Sequence, residues 1–228
     1  STVEGKTSGL KAKFTRESSK RIPRDTLLNN LLNAAQQFIL KKGESSELVA
    51  GYHWYGNRLR DTFIALPGLS MYNDDMAEFK DILDSSIQRV HNEFKKGKDA
   101  NTLHTDASTL PDVPLWLFYT LQECMENCQL SDVWGTYGKT LNLILESYST
   151  ANTPGLRIME NGLLYAKVQG KPLTWMDAIV NGQPVTPRYG MPIELNALWY
   201  NALCFAASQA SLAGDRKSAS KWKHLAEL

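Results

Sequence analysis

Arginine, carboxylates and tryptophan gather at places where a loop runs into a helix. Residues 51–69 read Gly51-Tyr52-His53-Trp54-Tyr55-Gly56-Asn57-Arg58-Leu59-Arg60-Asp61-Thr62-Phe63-Ile64-Ala65-Leu66-Pro67-Gly68-Leu69. A second group begins at Leu173-Thr174-Trp175-Met176-Asp177-Ala178. It continues through Val185-Thr186-Pro187-Arg188 into Pro192-Ile193-Glu194-Leu195-Asn196-Ala197-Leu198-Trp199-Tyr200-Asn201-Ala202-Leu203. Aromatic faces cover the apolar side of a pyranose, while carboxylates and a guanidinium fork hold its hydroxyls. The combination suits a sugar. Acyl-transfer and phosphate sites are built differently, and neither GxSxG nor a Gly-rich GK[ST] loop occurs in the chain.

Each of these residues also has a plain structural reading. Asp177, flanked by Trp175, Met176, Ala178 and Ile179, is placed to be a partly buried carboxylic acid or simply to cap a turn. Arg60 and Asp61 offer a donor fork beside a carboxylate, yet the helix dipole alone favours an acid there. Asp112, in Pro111-Asp112-Val113-Pro114-Leu115-Trp116, is a pocket residue or an N-cap, and Asp106-Ala107-Ser108 competes with it. Glu194 falls in a first helical turn, where the dipole favours it regardless of ligand, and Arg188 flanks the entry to that helix. His53, His91, His104 and His224 are scattered without metal-ligand spacing, so no metal and no cofactor is expected.

The two long segments resemble the glucosidase domain of glycogen debranching enzymes, whose patterns are of the kind GYPWFGDWGRDTxIALPGL and LTWMDA…VTPRxGxPVEINALWYNAL. The resemblance spans roughly residues 25 to 213. It departs at Asn57-Arg58-Leu59, where the family carries Asp-Trp-Gly. It implies that Asp177 is the general acid and that Arg60 and Asp61 bind the terminal glucose, with Trp54 as a wall. Asp112, Trp175, Arg188 and Glu194 are implied as further substrate ligands. It also implies an all-α (α/α)6 barrel, a toroid of six helical hairpins, and an inverting hydrolysis of α-1,6 branch points in glycogen limit dextrin.

Composition is compatible with that reading. The 228 residues suffice for one sizeable core, with 43% hydrophobic and 21% charged residues. A net charge of +1 gives no nucleic-acid surface, and no apolar run approaches the roughly 20 residues that span a bilayer. Ser1 to Lys20 is polar and basic, with no secretory h-region. Three cysteines are too few for a disulfide framework, which favours a reducing cytoplasm.

The elements that must position these residues are helical almost throughout. Residues 1–22 read as a linker or N-terminal extension, and residues 23–228 as the barrel domain. Helices are expected over residues 25–41 (N-capped by Asp25), from Arg60 to Tyr72, over 74–97, 112–127, 132–148 and 192–213, and over 217–227. Residues 149–190 are punctuated by glycine and proline, with a hairpin near Leu163 to Val168 and no sustained strand pattern elsewhere. Against the barrel that the resemblance implies, these helices are expected to make up only its N-terminal half to two-thirds. The general base, which the resemblance places late in the barrel, is therefore expected beyond this chain. The apolar faces left bare are expected to favour self-association. Two other readings remain: a glucan-binding fragment without turnover, and another α/α-barrel hydrolase of glucoamylase or trehalase type.

Overall fold

The computed structural model describes residues 9–19, 21–43, 45–52, 54–70, 76–95, 110–127, 130–150, 153 and 155–228. The fold is all-α, with helices α1 (Leu10–Ser19), α2 (Leu27–Gln36), α3 (Leu59–Ser70), α4 (Met76–Lys95), α5 (Val113–Asn127), α6 (Val133–Ser149), α7 (Ile193–Leu212) and α8 (Arg216–Ala226). Among the described residues three short antiparallel hairpins interrupt them: β1 (Ile39–Lys42) with β2 (Ser45–Leu48), β3 (Leu156–Ile158) with β4 (Leu164–Ala166), and β5 (Ile179–Val180) with β6 (Gln183–Pro184).

The core lies between α5, α6 and α7. Leu117, Phe118 and Leu121 of α5 meet Leu141, Ile144, Leu145 and Tyr148 of α6 and Trp199, Leu203 and Ala206 of α7, all excluded from solvent. Alanines at 202, 206 and 210 of α7 are buried, and their small side chains allow close helix approach. The α4 stripe Phe79, Ile82, Leu83, Ile87 and Val90 is buried at the helical spacing read from the sequence. Pro67 lies inside α3 and has no N–H to give the Phe63 carbonyl. The Thr120 hydroxyl of α5 donates to that carbonyl instead, at 2.6 Å, and so ties α3 to α5.

The first expected helix is shorter than its leucine pattern suggested. α2 ends at Gln36, and the chain turns into the β1–β2 hairpin through Gly43 at φ +64°. Ser46 and Leu48 alternate into the core, and the Ser46 N–H donates to Asp81 Oδ2 of α4 at 2.6 Å. A four-residue strand period is too brief to stand out beside a longer helical stripe. The cap also differs: Thr26, one residue after Asp25, accepts the Asn29 N–H. Leu27 (77% exposed), Leu28 and Leu31 face outward, while Asn33 is the buried residue of α2. Within residues 1–22 the described part forms α1, none of whose residues is buried.

Residues 155–192 are held by local devices. Gly155, at φ +75°, sits where a Cβ would come within 2.2 Å of Val168 Cγ2. β3 and β4 pair across Gly162, close to the expected hairpin. Asn196 of α7 clamps β4 from both sides, accepting the Leu164 N–H at 2.7 Å and donating to its carbonyl at 3.1 Å. The unforeseen β5–β6 hairpin turns on Asn181-Gly182, both at positive φ, and follows Asp177 directly. That dipeptide is the sequence signal for such a turn.

Candidate active site

Arg60 enters in the first turn of α3, which begins at Leu59. The loop before it is closed by the Ala50 N–H, which donates to the Gly56 carbonyl at 2.8 Å. That closure leaves Tyr52, Trp54 and Tyr55 exposed. Trp54 is 69% exposed and packs edge-on against Tyr55, with ring centroids 6.3 Å apart. Asn57 and Arg58, where the resemblance departs, have structural partners. Asn57 accepts from Arg89 Nη1 of α4, and the Arg58 guanidinium lies 4.7 Å over the Tyr55 ring.

Asp112 stands at the N-terminus of α5, where its carbonyl accepts from the Leu115 and Trp116 N–H groups. Both carboxylate oxygens face Arg60, with Nε to Oδ2 at 2.8 Å and Nη2 to Oδ1 at 3.0 Å. The remaining terminal nitrogen of the guanidinium, Nη1, donates to Asp177 Oδ2 at 3.0 Å. One arginine thus joins two carboxylates from remote parts of the chain.

The two carboxylates differ in environment. Asp112 is 1% exposed, whereas the Asp177 side chain keeps 28% of its surface. Burial pushes the Asp112 carboxyl above its ordinary value, although the Arg60 hydrogen bonds pull it back. Burial works against the Arg60 charge too. The hydrogen bonds and charges of Asp112, followed by those of Asp177, outweigh it and hold the guanidinium above its ordinary value. Tyr148 of α6 supports the Asp112 turn from behind, its hydroxyl donating to the Pro111 carbonyl at 2.8 Å. Burial, then the neighbouring Asp112 charge, pushes that phenol well up, so it remains a donor.

The other candidates lie around this cluster or apart from it. Trp175 is 54% exposed, two residues before Asp177. Asp61 follows Arg60 but turns about 100° around the helix. It lines a separate depression of about 340 Å³ with Phe38, Leu48, Ile64 and Leu69. Arg188, at φ +51°, pairs with Glu194 through Nε to Oε1 at 2.8 Å and through Nη2 to Oε2. His53 and Asp106 to Ser108 lie outside the described residues. Sequence reasoning missed Tyr148, which looks like any apolar-stripe residue of α6 until its hydroxyl meets Pro111.

The Arg188–Glu194 pair makes a pH prediction. Desolvation raises the Glu194 carboxyl, but the Arg188 hydrogen bond, with further hydrogen bonds and the Arg188 charge, carries it below its ordinary 4.5. A depressed carboxyl stabilises the fold fully above its unfolded value and loses that contribution as pH falls through the folded one. Glu194→Gln therefore removes that contribution at neutral pH, a modest loss for a solvent-screened pair, and flattens the acid limb below pH 4.5 so that the two proteins converge in acid. Urea melts from pH 3 to 7 check this, and parallel acid limbs for both proteins contradict it.

Among the described residues no group of three or more His, Cys, Asp or Glu could hold a metal ion, and no helix is long and apolar enough to cross a membrane. No curated protein and no solved structure matches the chain. The family comparison is positive over most of its length and includes Arg60, Asp112 and Asp177. Residues 33–228 match the amylo-alpha-1,6-glucosidase family model, and the chain belongs to that family.

Proposed function

We propose that this domain hydrolyses α-1,6-glucosidic branch points of glycogen limit dextrin with inversion, using Asp177 as general acid. The observation that supports it most is the Arg60 bridge, which gathers Asp112 and Asp177 beside the exposed Trp175. Asp177 Oδ2 already accepts from Arg60, so Oδ1 is the oxygen left to carry a proton to the departing glycosidic oxygen. Water then attacks the anomeric carbon from the opposite face, activated by a second carboxylate about 6.5–9.5 Å away. No residue of this chain is assigned as that base. Trp54 and Trp175 supply apolar walls for the sugar faces, and Asp61 supplies a further carboxylate. Arg188 and Glu194, 34% and 22% exposed in their side chains, retain spare donors and lone pairs for hydroxyls. The partner is a branched α-glucan. The setting is a reducing cytoplasm, which three cysteines, too few for a disulfide framework, favour.

The test is a substrate panel with the full-length gene product. Limit dextrin bearing single α-1,6-glucosyl stubs should release glucose first detected as the β-anomer by NMR. Maltotriose and trehalose should not be cleaved at comparable rates. Release of the α-anomer, or preference for either short substrate, rejects the reading. Binding of limit dextrin without turnover replaces it with a glucan-binding domain.

A further inference from the structure

We propose that Asp112 is a positioning residue that works through Arg60, fixing the guanidinium so that it holds one chosen oxygen of Asp177. The functional consequence rests on the general-acid role of Asp177 proposed above; the geometric part does not. Asp112 is 1% exposed, so a sugar hydroxyl has no surface of it to reach. Its two oxygens take Nε and Nη2 of Arg60, the bidentate geometry in which a guanidinium is most rigidly aimed. The Asp112 backbone is itself held, through its carbonyl starting α5 and through Tyr148 bonding the preceding Pro111 carbonyl. The order of constraint therefore runs from α6 through Tyr148 to the turn at Asp112, then to Arg60 and finally to Asp177. Asp177 is at the soft end of this chain, on a loop, partly exposed, and bonded to Arg60 by the single nitrogen Nη1. Arg60 needs Asp112 for its aim and does not need Asp177. Losing that aim displaces the acid without removing it, and a displacement of about 1 Å can cost about 10²-fold in rate.

The experiment reads Arg60 directly, without substrate, by NMR of its Nε–Hε group in the full-length gene product. The expected result is that Hε exchanges slowly with water in the wild type and in Asp177→Ala, which removes the Nη1 acceptor, and at least about ten times faster in Asp112→Asn. Rapid exchange in the wild type, loss of protection in Asp177→Ala, or retained protection in a folded Asp112→Asn each overturns the proposal. The first two measurements need only proteins that keep the buried pair, so they decide the matter even if Asp112→Asn does not fold. Kinetics on branched dextrin add a second readout in Asp112→Glu, which keeps the charge but shifts the guanidinium. kcat should fall about 10²-fold with KM within about threefold. A rise in KM at unchanged kcat would make Asp112 a substrate ligand and sink the positioning role. If the exchange pattern holds while Asp177→Asn stays fully active, the order of constraint stands and the general-acid reading alone fails.

Discussion

Asp177→Asn should lower glucose release from branched dextrin by about 10² to 10⁴-fold while leaving the melting temperature close to that of the wild type. Asparagine has nearly the shape of aspartate, and its amide oxygen can still accept from Arg60 Nη1. It cannot give up a proton to the leaving oxygen. The size of the loss should depend on the leaving group. An α-glucosyl fluoride departs without protonation, so the variant should lose far less on that substrate than on dextrin. Equal losses on both substrates would indicate displaced binding rather than a missing acid. Activity on dextrin within a few-fold of wild type would remove Asp177 from the chemistry altogether. The partial exposure of Asp177 makes the variant interpretable, because no buried group is stranded when its charge goes.

Arg60→Ala should act in the opposite way, as a folding defect first. It strands Asp112, a carboxylate 1% exposed, without its bidentate partner. Removing one member of a buried ion pair typically costs about 3–5 kcal/mol. In a domain of this size that is a fall in melting temperature of roughly 6–20 °C. The adjacent Asp61→Ala touches an exposed residue and should stay within about 0.5 kcal/mol. Two neighbours that read from sequence as one sugar-binding pair thus separate by an order of magnitude in stability. Arg60→Ala combined with Asp112→Leu should recover part of the loss, since both charges are then gone. A melting temperature for Arg60→Ala within about 2 °C of wild type would refute the buried-pair account. No recovery in the double variant would attribute the loss to packing of the arginine stem.

Most of the helical content is legible in the sequence. α4, α5 and α6 carry apolar residues at a helical period, which a one-dimensional reading detects well, while α7 is apolar around most of its circumference and is legible from its length and its motif. α2 was legible only in part. Leu27, Leu28 and Leu31 look like a core stripe, but a helix pattern says which residues share a face and not which face finds a partner. The β1–β2 hairpin was missed because two strands of four residues leave little alternation to see. Its anchors are the core packing of Leu48 and the Ser46 bonds to Asp81 and Glu78, which lie 30 and more residues away along the chain.

The same division runs through the site. Residue types and motif spacing alone determined the chemistry on offer, an arginine, several carboxylates and exposed aromatic rings in loops entering helices. They also determined the family, since the ordered Arg-Asp and Thr-Trp-Met-Asp segments are a property of the string. Only the tertiary structure decided which carboxylate belongs to which arginine. Arg60 is adjacent to Asp61 in sequence but bonds Asp112 and Asp177, 52 and 117 residues away. The physical reason is that helix geometry turns consecutive side chains about 100° apart, so neighbours in the chain diverge. Burial then does what spacing cannot. The packing of α3 against α5 closes Asp112 off from water, and that exclusion makes its pairing with Arg60 obligatory and leaves Asp177 the more exposed carboxylate of the pair.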